Sequence, residues 1–123
     1  MTVDDIVRAK VAKAKDFLAG AEIMLDLRAY DAAVSLAISA AINASDALVL
    51  DFENILPSGK DHHRAIALLK SATDRDTGRQ LEYVLNLKSK AQYAVQRCTA
   101  SEAEEVLKRA KRLVGKSKGF EIE

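Results

Sequence analysis

The 123-residue chain holds one cysteine, one proline, five glycines, two histidines and no tryptophan. A lone cysteine cannot build a disulfide framework or a cysteine-ligated zinc site, and it fits a reducing compartment. Scarce glycine and proline exclude collagen-like and linker-rich designs. An excess of one charge is also missing: 19 basic side chains face 18 acidic ones, for a formal net charge of +1. That balance gives no global electrostatic attraction to nucleic acid or membrane. Apolar residues make up 49% of the chain, too many for a disordered one. The length suits one domain over residues 1–123, with its core at about 3–115 and a tail at 116–123.

No basic leader or apolar signal core follows Met1; Asp4 and Asp5 stand there instead. The most apolar stretch, Ala32 to Leu50, is interrupted by Ser35, Ser39, Asn43, Ser45 and Asp46. An aspartate at the centre of a spanning helix costs roughly 2.5–3.5 kcal/mol. A buried helix of a cytoplasmic bundle, with no membrane partner, is the expectation.

Alternation of period two is absent, and the helical period runs through the chain. Val7, Val11, Ala14, Leu18, Ala21 and Leu25 are spaced 4, 3, 4, 3 and 4, which predicts a helix over about 3–27. Asp31 is placed as the N-cap of a second helix over about 31–51. Its polar residues Ser35, Ser39, Asn43 and Asp46 form one narrow stripe on an otherwise apolar, alanine-rich surface, the pattern of a central helix. The Leu56-Pro57-Ser58-Gly59 run marks a loop, and Asp61 caps a third helix over about 61–72. A polar break at 73–78 precedes a fourth helix over about 78–98, with Leu81, Val84, Leu85, Leu87, Ala91, Ala94 and Val95 as its apolar members. Ser101 and Glu104 fit a capping box for the fifth helix, and Gly115 a C-terminal cap. The sum is an all-α, antiparallel up-and-down four-helix bundle with an additional short helix.

Three clusters carry polar chemistry. Lys60, His62, His63 and Arg64 gather at a helix N-terminus, where amides and cations suit a phosphate-type anion. The competing reading is a first turn with one histidine packed and one solvated. Adjacent histidines point apart on a helix, so no metal is expected, and no cofactor either. The second cluster is Lys108, Arg109, Lys111 and Arg112, which with Lys116 and Lys118 puts six cations in eleven residues. It fits an RNA or DNA backbone, or a solvated helix face. The third is Asn43 with Asp46, which needs partners from the fourth helix or from Tyr30, Tyr83 or Tyr93. Cys98 reads as a packed thiol.

The order of segments from Tyr30-Asp31-Ala32-Ala33 through Asn43-Ala44-Ser45-Asp46 resembles the HEPN superfamily. So does the continuation through Gly59-Lys60-Asp61-His62-His63, Lys90-Ala91-Gln92-Tyr93 and Ser101-Glu102-Ala103-Glu104. The likeness is to its small stand-alone actinobacterial type. The resemblance implies a helical bundle, commonly a homodimer. It also implies either a metal-independent ribonuclease, often of a toxin–antitoxin or defence system, or a non-catalytic module. Such a module binds nucleotide or RNA, or partners a nucleotidyltransferase. The ribonucleases share an Arg, four to six residues, then a His. Here positions 55 to 58, where that Arg would precede either histidine, are Ile55, Leu56, Pro57 and Ser58. Aligning Tyr93 with the tyrosine that follows the motif puts Asn86 and Ala91 at the Arg and His positions. The expectation is therefore a non-catalytic binding module with Lys60, His62, His63, Arg64, Lys90 and Tyr93 at its ligand. A divergent ribonuclease using His62 or His63, and a structural partner of a nucleotidyltransferase or of a toxin or antitoxin, are the alternatives.

Overall fold

The computed structural model describes residues 1–57 and 61–117, and all its regular structure is helical. The helices are α1 (Val3–Asp26), α2 (Tyr30–Glu53), α3 (His62–Ala72), α4 (Arg75–Asn86), α5 (Lys88–Gln92) and α6 (Ala100–Ser117). α1, α2, α4 and α6 form the up-and-down bundle, and α3 and α5 are the short additions. Cross-helix pairs give the directions. Lys10 meets Asp46 and Gly20 approaches Leu36, so α1 and α2 are antiparallel. Arg109 meets Tyr83 and Lys116 meets Thr77, so α4 and α6 are antiparallel as well.

α1 starts with the reciprocal Thr2–Asp5 capping box, and the stripe from Val7 to Ala21 is buried. α2 is the central helix and packs against α1, α3, α4, α5 and α6. By length and composition it is apolar enough to cross a membrane, but 72% of that stretch is buried inside the bundle. Its alanines at 33, 37, 40, 41, 44 and 47 are fully buried and let neighbouring backbones come close. Gly20 serves the same purpose on α1, since a Cβ there would sit 3.3 Å from Leu36 Cδ1. Ile38, Leu48, Leu69, Leu81 and Leu113 supply the bulk between the helices.

Several boundaries differ from the sequence expectation. Asp31 does not cap α2: the helix begins one residue earlier, behind Ala29, without a side-chain cap. The Asp31 carboxylate instead accepts from the Cys98 backbone N–H at 2.8 Å, 67 residues away. The expected helix over 78–98 starts at Arg75, capped by Asp74, and stops at Asn86. After five residues of α5 the chain runs non-helical from Tyr93 to Thr99. Val95, counted as a core position, is fully exposed there. The box that starts α6 is Thr99–Glu102, two residues before the expected Ser101–Glu104, with bonds of 2.8 and 3.1 Å. Gly115 lies inside α6, which continues to Ser117. Asp61 caps α3 as expected, accepting from the Arg64 N–H at 3.0 Å.

Candidate functional site

Lys60 lies outside the described residues. His63 and Arg64 are exposed on the first turn of α3. His62 is half-buried and turns into a cleft with Ile42, Ser45, Asp46, Ala65, Leu81 and Leu85. Burial, then Lys88, lowers the His62 pKa. The cleft has only about 10 Å³ of space, room for about one water. Lys90 binds both carboxylate oxygens of Glu102 at 3.0 Å, and Tyr93 stands exposed beyond α5. The residues expected around one ligand are thus spread over a helix turn, an internal ion pair and a loop.

The polar stripe of α2 is satisfied from an unexpected side. Asn43 Nδ2 donates to the Ser39 carbonyl on its own helix at 2.8 Å. The buried Asp46 carboxylate takes its cation from α1, with Lys10 Nζ at 3.2 Å, rather than a partner from the fourth helix or a tyrosine among the described residues. Burial pushes the Asp46 pKa up, against the pull of Lys10. Cys98 packs as expected, its thiol pushed up to about 11 by burial and then by the Asp31 carboxylate.

The basic cluster of α6 does not form one cationic face. Its helical spacing sends Lys108 and Lys111 toward α1 and Arg109, Arg112 and Lys116 toward α4. On the α1 side a groove of about 460 Å³ is lined by Glu22, Leu25, Asp26, Glu104, Leu107, Lys108 and Lys111. Lys111 pairs there with Glu22 at 3.4 Å. Three carboxylates against two lysines make this groove a poor host for an anion.

The α4 side is different. Arg109 lies 4.1 Å above the centre of the Tyr83 ring and 3.8 Å from Glu105. One turn on, a pocket of about 100 Å³ is lined by Asp76, Thr77 and Gln80 of α4 and Arg112, Leu113 and Lys116 of α6. Lys116 Nζ donates to Thr77 Oγ1 at 2.7 Å and to Asp74 Oδ2 at 3.2 Å, which anchors the ammonium at the pocket edge. The Thr77 N–H and side chain, followed by Lys116, hold the Asp74 carboxyl down at about 2. Gln80 is 7% exposed.

Among the described residues, three buried side-chain polar atoms have no hydrogen-bond partner: Ser45 Oγ, Gln80 Oε1 and Arg109 Nε. Two of the three lie in the α4–α6 seam. Leaving such an atom unpaired costs about 1–3 kcal/mol. Arg112, and Arg75 and Arg79 on the exposed side of α4, have no ion pair among the described residues. Sequence reasoning found Arg109 and Arg112 but missed Asp76, Thr77 and Gln80. The signal available was the spacing of Asp76 and Gln80, one turn apart on a helix rather than in a break.

A family model for the HEPN domain matches residues 7–119, all but the ends of the chain. The chain belongs to the HEPN domain family. The six-helix architecture agrees with that membership, which suggests a nucleotide- or RNA-related module. No curated protein matches this HEPN domain. The family match covers α2 to α6 in full, so the seam between α4 and α6 belongs to the domain rather than to an appendage.

Proposed function

We propose that this HEPN domain is a non-catalytic binding module that holds a nucleotide, or the backbone of single-stranded RNA, on the seam between α4 and α6. The observation that carries this reading is the seam pocket itself. It sets Asp76 and Gln80 beside Arg112 and Lys116, and α4 places Arg75 and Arg79 on exposed positions of the same helix. Guanidinium groups suit phosphate because their planar donors reach two oxygens at once.

Labelled single-stranded RNA followed by fluorescence anisotropy at low salt tests the reading. Affinity should fall as salt rises, Arg112→Ala should weaken binding, and Arg79→Ala should also flatten the salt slope by about 0.7. Unchanged affinity in Arg112→Ala and Arg79→Ala would remove the seam as the binding surface. The ribonuclease alternative has less support. His62 faces a cleft that holds about one water, with no room for a ribose and its phosphate. Cleavage of labelled RNA that disappears in a His62→Ala, His63→Ala double variant would favour that alternative instead.

A further inference from the structure

We infer that the α4–α6 pocket selects a guanine base; this deepens the nucleotide-binding reading and rests on it. The pocket is neither an anion hole nor a cation hole. A bare anion entering it meets Asp76 with Asp74 behind, and a cation meets Arg112 and Lys116. Its complement is a neutral ligand rich in both donors and acceptors. About 100 Å³ is less than the roughly 150 Å³ that encloses one benzene ring, so the pocket takes one polar edge of a flat ring and leaves the rest outside. Leu113 supplies an apolar wall for the face of such a ring.

The donor and acceptor inventory narrows the choice of base. On the acceptor side are the two oxygens of the Asp76 carboxylate. On the donor side are the Arg112 guanidinium and the Lys116 ammonium. The Thr77 hydroxyl accepts from Lys116 and gives its own proton to Asp74, so it holds the pocket edge rather than the ligand. A carboxylate with two acceptor oxygens beside a group of donors calls for two adjacent N–H groups next to a carbonyl oxygen on one edge. Guanine has that edge: N1–H and the two hydrogens of the exocyclic amine, beside O6. Adenine would turn a ring-nitrogen lone pair toward the Asp76 carboxylate. Cytosine has one amino group beside two acceptors, and uracil one N–H between two carbonyls. With the guanine edge inside, the sugar and phosphate stay outside the pocket, and Arg75 and Arg79 are the exposed arginines on α4 available to them.

Calorimetric titration of the full chain with GMP, AMP, CMP, UMP and IMP tests this, with tetranucleotides carrying one guanine or none as a second arm. GMP should bind at least about tenfold tighter than AMP, the usual effect of a well-placed base contact. IMP, which lacks the exocyclic amine, should fall between them. Asp76→Asn, a substitution at an exposed position, should remove the preference by weakening GMP and tightening AMP, whose ring nitrogen the carboxamide can donate to. A preference in the mononucleotide arm identifies a free nucleotide as a sufficient source. A preference confined to the tetranucleotides identifies a strand as the source, and supports the same pocket. Equal affinity for all bases in both arms, or a guanine preference that survives Asp76→Asn, overturns the inference and leaves the binding module standing. Absence of binding to every nucleotide and tetranucleotide overturns both.

Discussion

The Arg109 guanidinium stacks over the Tyr83 ring at 4.1 Å, joining α6 to α4 just above the seam pocket. A cation over an aromatic face is worth about 0.5–1 kcal/mol when partly exposed. The contact also orients a guanidinium whose Nε has no partner. In urea denaturation, a double-mutant cycle of Arg109→Met and Tyr83→Leu should return a coupling near that range. Strict additivity would show that the stacking does not tie the two helices together.

The Lys10–Asp46 pair makes a second prediction. Asp46 is almost fully buried, so Lys10→Met leaves a carboxylate that must stay unpaired or take up a proton. The expected loss is about 2 kcal/mol, below the range for fully buried pairs because Lys10 is partly exposed. Replacing both residues, Lys10→Met with Asp46→Leu, should recover most of it. A double variant no more stable than Lys10→Met would contradict the account.

Asp74 sets a pH dependence. Its folded pKa, about 2, lies below the ordinary 3.8. A carboxylate of depressed pKa contributes stability that is fully present above its unfolded value and lost as pH falls through the folded one. The denaturation midpoint should therefore drop as pH falls from about 4 to about 2. Asp74→Asn, which keeps a side chain able to cap α4, should flatten that part of the profile. An unchanged slope would count against the Asp74–Lys116–Thr77 arrangement.

Thr99→Ala should cost about 1 kcal/mol through the lost cap of α6. Ser101→Ala, one residue inside the helix, should stay within about 0.5 kcal/mol. The reverse order of effects would place the start of α6 at Ser101.

These boundaries show what the sequence carries by itself. The apolar period of α1 and the wide apolar surface of α2 are local patterns, and both helices lie close to where the period puts them. The start of α6 was ambiguous because Thr99–Glu102 and Ser101–Glu104 are overlapping boxes of the same chemistry. Lys90, bound to Glu102 from the other side, accompanies the upstream one. The break after Asn86 could not be read from periodicity, since Ala91, Ala94 and Val95 continue the apolar pattern through it. Asp46 found its cation 36 residues away on α1. Asp31 found the Cys98 N–H at a still greater separation, and no local rule connects such residues. The same reasoning hides the seam. Arg109 and Arg112 were legible as cations, but the pocket exists only because antiparallel packing sets them against Tyr83, Gln80 and Thr77.

The most direct test of the seam is a titration of the isotopically labelled full chain with a short guanine-containing single-stranded RNA, followed by amide chemical shifts. The account predicts that the largest shifts fall at residues 75–80 and 109–116, and move progressively with ligand. Shifts confined to the first turn of α3 around His62 to Arg64, or to the groove between α1 and α6, would contradict it.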